Sequence, residues 1–206
     1  MTTYFITGIS TEVGKTITSA IVTEALEADY WKPVQAGELD HSDTHKIRRL
    51  VSNDISQYHN NSFALQTPMS PHAAADIDGV TIKVSKIKRP KTKNNLVIEG
   101  AGGLLVPLND TETVIDLIQP KDKIIIVSRH YLGSINHTLL TIEALKNRNL
   151  PIAGIIFSGD EHPTTEAIIT KMGQVPVIGR IEEEPYFDER VVSEYAALFE
   201  ERLKAL

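Results

Sequence analysis

The sequence predicts an α/β fold, a doubly wound and mostly parallel sheet in a single domain that spans residues 1–206. Short apolar runs alternate with amphipathic stretches, and the apolar runs are rich in β-branched residues. The 206 residues are 41% hydrophobic and 23% charged, which are ordinary values for one globular domain. Ligands of such folds bind at the carboxyl ends of the strands, and we expect the functional residues there.

Six apolar runs are predicted to be strands that are buried on both faces of the sheet. They are Thr3–Thr7, Tyr30–Val34, Leu96–Ile98, Lys123–Val127, Ile152–Phe157 and Val175–Ile178. Five amphipathic stretches are predicted to be helices. They are Lys15–Ala28, about Asp43–Leu50, Ser134–Arg148, Thr164–Met172 and Asp188–Leu203. This alternation favours right-handed crossovers between parallel strands.

Two segments are predicted to be irregular. Asn60–Ala75 is rich in Pro, Ser, Thr and Ala, which indicates a long ordered loop. The segment Lys83–Lys93 carries six basic residues around Pro90. A solvated helix end and loop is favoured there over a patch that binds an anionic ligand.

Composition and charge exclude several classes of function. The absence of cysteine excludes disulfides, zinc thiolate sites, iron–sulfur clusters and a cysteine nucleophile. The seven histidines form no H-x-x-x-H pair within a predicted helix, so a metal held by oxygen, such as Mg²⁺, is favoured. A net charge of −6 argues weakly against nucleic-acid binding. No apolar run approaches the roughly 20 residues of a membrane span, and no signal peptide is recognised, so we expect a soluble, cytoplasmic protein.

The first predicted strand is followed by Gly8–Thr16, which nearly matches the phosphate-binding loop G-x-x-x-x-G-K-[ST]. Five residues instead of four separate the two glycines, but the chemistry fits. Backbone N–H groups of Val13 to Thr16 would face a phosphate at a helix N-terminus, and Lys15 would add a point charge. The hydroxyl of Thr16 would reach Mg²⁺. The motif predicts a P-loop NTPase-like domain, and an ordinary strand–helix turn is the alternative.

Glu12 is unusual in a loop that binds an anion, because its carboxylate would repel phosphate unless it points away. It could accept hydrogen bonds from a ribose, a cationic substrate or a neighbouring helix.

Further polar residues follow the second and third predicted strands. Lys32 could lie near the γ-phosphate, where negative charge develops, or it could be a surface lysine. Asp43 could be a Mg²⁺ ligand or a helix N-cap. Glu99 precedes Gly100–Gly103 and is favoured as a Mg²⁺ ligand, either direct or through water, over a solvated acid in a turn.

The segment Leu132–His137 follows the fourth predicted strand and opens a helix. Ser134 is expected to be its N-cap. The exposed N–H groups at this helix start could hold a carboxylate, and a plain capped helix is the alternative.

Taken together, these motifs resemble the dethiobiotin synthetase family over nearly the whole chain and in the same order. The resemblance rests on Thr11–Thr16 (TEVGKT), Lys32–Val34 (KPV), Ser42-Asp43, Ser70–His72, Glu99–Gly103 and Leu132–His137. It implies conversion of 7,8-diaminopelargonic acid, CO₂ and MgATP into dethiobiotin, ADP and phosphate. One amine captures CO₂ as a carbamate, ATP phosphorylates the carbamate, and the second amine closes a cyclic urea.

The resemblance also implies roles for individual residues. Lys15 and Lys32 are the expected catalytic residues, and Thr16, Asp43 and Glu99 are the expected Mg²⁺ ligands. The residues expected to contact ATP are Glu12, Val13, Gly14, Lys15, Thr16, Ile17, Asp43, Glu99, Gly100, Ala101, Gly102, Ser158 and Gly159. The family forms homodimers with the substrate at the subunit interface. The residues expected to bind that substrate are Ala36, Gly133, Ser134, Ile135 and Asn136.

The chain departs from the family pattern at two positions. Ala36 replaces a frequent Ser or Thr, which removes a hydroxyl contact to the substrate or carbamate. Ser158 stands where the family usually has an Asn that reads adenine, so we expect a weaker preference for ATP than is usual.

Three other functions are alternatives on this fold. A related switch ATPase would carry an extra lysine early in the loop, where this chain has Ile9, Ser10 and Thr11. A regulatory module without catalysis is disfavoured because Lys15, Thr16, Lys32, Asp43 and Glu99 are all present. Another ATP-dependent synthetase on the same fold is the remaining alternative.

Overall fold

Nine strands and six α-helices form along the chain, and the computed structural model describes residues 1–206. The strands are β1 (Thr3–Gly8), β2 (Asp29–Trp31), β3 (Val34–Ala36), β4 (Tyr58–His59), β5 (Phe63–Leu65), β6 (Leu96–Gly103), β7 (Lys123–Arg129), β8 (Ile152–Ser158) and β9 (Val177–Ile181). The helices are α1 (Lys15–Ala25), α2 (Asp43–Leu50), α3 (Pro71–Ile77), α4 (Ser134–Asn147), α5 (Pro163–Gly173) and α6 (Glu189–Ala205).

The central sheet has seven strands in the order β4-β2-β6-β1-β7-β8-β9, and every neighbouring pair is parallel. Helix α1 packs against α2 and α6, and α4 packs against α5. The inner strands are apolar because they are covered on both faces, and Phe5 and Ile6 of β1 are fully buried. The predicted α/β fold with a doubly wound, parallel sheet is confirmed.

The predicted strand Tyr30–Val34 is wrong, because the chain changes sheets within it. β2 ends at Trp31, and β3 pairs with β5 in a separate parallel sheet of two strands. Pro33 lies between them, and proline has no N–H to donate to a strand partner. Lys32 therefore lies at the gap between the two sheets, where its side chain can turn inward.

The interpretation of Asn60–Ala75 as a loop is also wrong, since the segment contains β5 and most of α3. β5 forms through pairing with β3, which is distant in sequence, and α3 begins at Pro71, a residue that favours the first helical turn. Local composition does not reveal β5, because that strand depends on its distant partner. Helix α3 is short, so its pattern is difficult to recognise in the sequence.

Several predicted boundaries shift, and the largest change is in β6, which continues to Gly103, five residues past the predicted end at Ile98. α1 ends at Ala25, three residues early, because Glu27 adopts a left-handed conformation with φ of 45°. The last strand, β9, begins at Val177, two residues later than predicted, and ends at Ile181. Pro176 precedes the strand and is not part of it. Helix α4 starts at Ser134 with Gly133 as its N-cap, so the expected Ser134 cap is wrong.

The basic segment Lys83–Lys93 is largely solvated, as predicted. Its five lysines are exposed, and Arg89 differs by forming a bidentate pair with Asp122 at 2.6 and 2.5 Å. None of the helices of the chain combines the length and the apolar character that crossing a bilayer requires.

Candidate active site

The loop between β1 and α1 has the backbone of a phosphate cradle. Gly14 is the N-cap of α1 and has a φ of 93°, a conformation that favours glycine. A Cβ at this position would also lie 2.8 Å from Oγ of Ser158, so the position tolerates no side chain. Glu12 has a φ of 54° and is exposed, which separates its carboxylate from the buried part of the loop.

Lys15 is buried at the start of α1, and its Nζ donates a hydrogen bond to the carbonyl of Ser10 at 2.9 Å. Desolvation lowers the pKa of Lys15 to about 8, and the nearby charge of Lys32 acts in the same direction, while Glu99 and Asp43 oppose it. A phosphate oxygen could replace the Ser10 carbonyl as acceptor and would stabilise the charged amine.

Lys32 and Glu99 form the centre of a buried polar cluster. Nζ of Lys32 lies 3.0 Å from Oε1 of Glu99 and also forms an ion pair with Oδ2 of Asp43. The hydroxyl of Thr16 donates to the same Oε1 of Glu99 at 3.1 Å, and the phenol of Tyr30 donates to Oε2 at 2.9 Å. The loop, two strands of the central sheet and the start of α2 therefore converge on one point.

Opposite charges keep Lys32 and Asp43 ionised despite their burial. Desolvation alone would lower the pKa of Lys32, but Glu99 and Asp43 raise it above its ordinary value. Desolvation alone would raise the pKa of Asp43, but Lys32 lowers it below its ordinary value. The pKa of Tyr30 is raised well above its ordinary value by burial and by Glu99, so its phenol stays a donor.

Asp43 is the first residue of α2 and not its N-cap, so the N-cap alternative is wrong. Ser42 is the N-cap residue, and its side chain makes no capping bond. The amide side chain of Gln35 instead accepts from the backbone N–H of Asp43 at 3.3 Å. Gln35 thus ties β3 to the start of α2 and holds the Asp43 carboxylate near Lys32.

The cluster offers oxygen ligands that suit a hard cation. The chain has no group of three or more His, Asp or Glu residues arranged for a metal. It does bring the hydroxyl of Thr16 together with the carboxylate of Glu99, and Lys32 links Glu99 to Asp43. Two carboxylates and a hydroxyl, with phosphate oxygens of a nucleotide, match the preference of Mg²⁺.

A cavity of about 540 Å³ opens beside the cluster. Its walls include Lys32, Asp43 and Thr11 of the phosphate loop. Other predicted site residues that line it are Glu12, Ala36, Ala101 and Gly102. The cavity can hold a small molecule next to the charges of Lys32 and Asp43.

The structure does not bring Gly133–Asn136 into this cavity. These residues line a separate cavity of about 730 Å³, together with His130 and His162. Gly133 has a φ of 104°, and the buried Ser134 is the first residue of α4. Within one chain, the start of α4 and Lys32 belong to different cavities.

Ser158 and Gly159 end β8 on the other side of the phosphate loop. Ser158 is buried beside Gly14, and Gly159 has a φ of 88°. The N–H of Gly159 donates to the carbonyl of Ile181 at 2.8 Å, which ties the turn to β9.

Two residues of the cluster were missed by sequence reasoning. Tyr30 lies in an apolar strand and resembles an ordinary core residue, although its hydroxyl reaches Glu99. Gln35 lies in β3, whose existence depends on pairing with β5. The only sequence signal for Tyr30 and Gln35 is that both lie within three residues of Lys32.

The parallel sheet and the cradle that follows its first strand define a phosphate-loop nucleotide-binding fold. The cell division ATPase MinD of Pyrococcus furiosus has the same fold, with a TM-score of 0.66 and 13% identity, covering 100% of this chain and 99% of that one. The septum site-determining protein MinD of Pyrococcus horikoshii, complexed with Mg-ADP, gives a TM-score of 0.60 at 17% identity, covering 98% and 94%. These likenesses establish the fold alone.

Sequence similarity is more specific than this. A family model described as an AAA domain matches residues 2–190. The chain is 68% identical to the ATP-dependent dethiobiotin synthetase BioD of Christiangramia forsetii over 97% of each chain. It is 50% identical to the protein of that name in Cytophaga hutchinsonii, over 95% of this chain and 96% of that one. The chain belongs to the ATP-dependent dethiobiotin synthetase family.

Proposed function

We propose that this protein is a ligase that forms dethiobiotin from 7,8-diaminopelargonic acid and CO₂, with conversion of ATP to ADP and phosphate. The observation that carries the proposal is the 68% identity to a dethiobiotin synthetase over nearly the full length of both chains. The buried cluster of Lys32, Asp43 and Glu99 beside the phosphate loop supports it, because it supplies charges where a phosphoryl group would be transferred.

The chemistry needs positioning and charge stabilisation and no covalent bond to the protein. The carbamate of the diamine would attack the γ-phosphorus of ATP, and the second amine would then expel phosphate and close the urea. Lys15 would hold the phosphate oxygens of ATP. Lys32 borders the 540 Å³ cavity, where it would stabilise the carbamate and the negative charge that develops during transfer.

Thr16, Asp43 and Glu99 would hold Mg²⁺, which when bound neutralises the charge on the β- and γ-phosphates. For this, the ammonium of Lys32 would have to release part of its contact with the two carboxylates and turn toward the transferred group. Lysine has a flexible stem, which permits such a movement.

Glu99→Gln should raise the Mg²⁺ concentration needed for half-maximal activity by about tenfold or more, because an amide is a weaker ligand than a carboxylate. Titration of activity against Mg²⁺ measures this. Glu38→Gln is the matched control, since Glu38 lines the same cavity but its side chain is 64% exposed and pairs with Lys46. An unchanged Mg²⁺ requirement in Glu99→Gln would remove Glu99 from the metal site.

We also propose that the protein is a homodimer in which Gly133–Asn136 of one subunit bind the substrate carboxylate in the site of the other. Two observations support this. The start of α4 lines a cavity apart from Lys32 in its own chain, and apolar side chains around it, such as Leu132 and Leu140, are exposed. Ala36 offers no hydroxyl to the substrate, so that contact would come from backbone or water.

The expected setting is the cytoplasm, where ATP is available, without a membrane or nucleic-acid partner. Phosphate release from MgATP tests the proposed reaction, measured with bicarbonate and with or without the diamine. Release that requires the diamine supports the proposal. Release that is independent of the diamine would contradict it and would favour a switch ATPase or a different substrate.

A further inference from the structure

A second cluster of ionisable side chains, largely buried, lies outside the Lys32, Asp43 and Glu99 site, at the other end of the central sheet. It consists of His130, Glu166 and Arg180, whose side chains are 6%, 15% and 15% exposed. His130 follows β7, Glu166 lies on α5 and Arg180 lies in β9. No step of the proposed reaction uses these residues. Burial of this much charge needs a close set of partners.

Glu166 is the hub of this second cluster. Its Oε1 lies 2.8 Å from Nε2 of His130 and accepts from the backbone N–H of His162 at 3.1 Å. Its Oε2 forms an ion pair with the guanidinium of Arg180. Burial alone would raise the pKa of Glu166, but the bonds from Arg180, His162 and His130 lower it. The carboxylate is thus fixed from three sides and holds Arg180 in one orientation.

The guanidinium of Arg180 also faces the turn that follows β8. Its Nη1 lies 3.5 Å from the carbonyl oxygen of Gly159 and 3.4 Å from that of Asp160, and its Nε lies 3.3 Å from Glu182. This turn includes Gly159, whose φ is 88°. Arg180 therefore joins α5, β9 and the turn at Gly159 through one planar group.

The placement of the turn indicates which part of a nucleotide it would meet. Lys32, Asp43 and Glu99 mark the reacting end, on the side of β2 and β6. Ser158 contacts the phosphate loop at Gly14 from the opposite side, where β7, β8 and β9 end. If the γ-phosphate of a nucleotide lies near Lys32, its nucleoside must extend in the opposite direction. The base can then lie at the edge of the site near Gly159.

We propose that Arg180, oriented by Glu166, is a positioning residue that holds the Ser158–Asp160 turn in the shape that binds the nucleobase. It acts through the backbone of Gly159 and Asp160, and it contacts neither the phosphates nor the reacting atoms. The inference rests on the proposed function only in taking ATP as the ligand. Loss of Arg180 should weaken the binding of nucleotides that carry a base and leave phosphate binding intact.

The test compares ATP with inorganic tripolyphosphate, which has the charge of the phosphate chain but no base. Calorimetric Kd values are measured for both ligands on the full-length protein and its Arg180→Gln and Glu166→Gln variants. Both variants should bind ATP about tenfold more weakly and tripolyphosphate as the wild type does. Arg190→Gln is the control, because Arg190 forms an exposed ion pair with Glu194 on α6; it should change neither Kd.

Arg180→Lys serves as the second variant if Arg180→Gln does not fold. It keeps the charge beside Glu166 but lacks the planar group that reaches the turn, so it should also lose ATP affinity selectively. Unchanged ATP affinity in the folded variants would overturn the proposal, and so would an equal loss of ATP and tripolyphosphate affinity. Because binding is measured without turnover, a protein that binds ATP but makes no dethiobiotin would refute the proposed function and not this inference.

Discussion

Lys32 is a buried cation that contacts two carboxylates and also borders an open cavity. Its position arises from Pro33, which ends β2 and turns the chain into a second sheet. Inside a continuous strand, the same lysine would point to one face of the sheet and would not lie in the gap between two sheets. One proline therefore sets the geometry of the proposed transfer site.

Lys32→Ala should lower kcat by about 100- to 1,000-fold, because the charge matters most as negative charge develops in the transition state. The Kd for ATP should change by about threefold or less, since Lys15 and the loop backbone still hold the phosphates. Steady-state kinetics and nucleotide binding measure the two effects, and circular dichroism checks that the variant is folded.

Lys46→Ala is the matched control, since Nζ of Lys46 also approaches Asp43, at 3.6 Å, but its side chain is 46% exposed. It should change kcat by about twofold or less, as exposed ion pairs usually do. A kcat for Lys32→Ala that is close to the wild-type value would exclude the catalytic role of Lys32.

The pKa of Lys15 provides a prediction on pH. With a pKa of about 8 in the free protein, Lys15 is mostly neutral at a pH of about 9. Bound phosphates favour the charged amine and raise its pKa, so ATP binding at this pH should take up close to one proton. Calorimetry in buffers of different ionisation enthalpy measures the uptake.

Lys15→Arg is the control for this prediction, because arginine stays charged throughout the range and should abolish the uptake. A binding enthalpy of the wild type that does not vary with the buffer would contradict the predicted proton uptake.

At the scale of elements, local motifs predicted the phosphate loop and the start of α1, because the glycine and lysine pattern specifies that turn by itself. The end of β6 was predicted five residues too early, at Ile98, because its glycines indicated a turn and the strand continues through them to Gly103. The small sheet of β3 and β5 could not be predicted in this way, since each strand has three residues and depends on the other. Tyr30 was missed for a similar reason. Its phenol reaches Glu99 only because β2 lies beside β6, with Tyr30 paired to Val97.

The end of β8, at Ser158, leads to a prediction about which nucleoside triphosphate the protein prefers. Ser158 is held beside Gly14 and offers one hydroxyl, whereas an amide could pair with both a donor and an acceptor on adenine. We expect kcat/KM for ATP to exceed the values for CTP and GTP by about tenfold or less. Ser158→Asn should increase that ratio. A strong preference of the wild type for ATP would refute the hypothesis.

At the scale of the whole molecule, the separation of Lys32 from the start of α4 predicts that two subunits share each site. Lys32→Ala and Asn136→Asp should each inactivate the homodimer. The aspartate is tolerated at a helix N-terminus but repels the substrate carboxylate. Exchange of subunits between the two variants should restore about a quarter of wild-type activity, because half of the dimers are mixed and each has one intact site.

The control is an exchange of subunits between the Lys32→Ala and Lys15→Ala variants. Both lysines would belong to the same half of the site, so no mixed dimer has an intact one. No recovery in the first pair, or equal recovery in both pairs, would contradict a site shared between subunits.

The central claim is that this protein closes a cyclic urea from a diamine, CO₂ and ATP. The most direct measurement is the mass of the product formed from 7,8-diaminopelargonic acid, MgATP and ¹³C-bicarbonate, together with the phosphate released. The proposed function predicts dethiobiotin with one labelled carbon, and one phosphate for each molecule formed. Phosphate release without a labelled urea would contradict it.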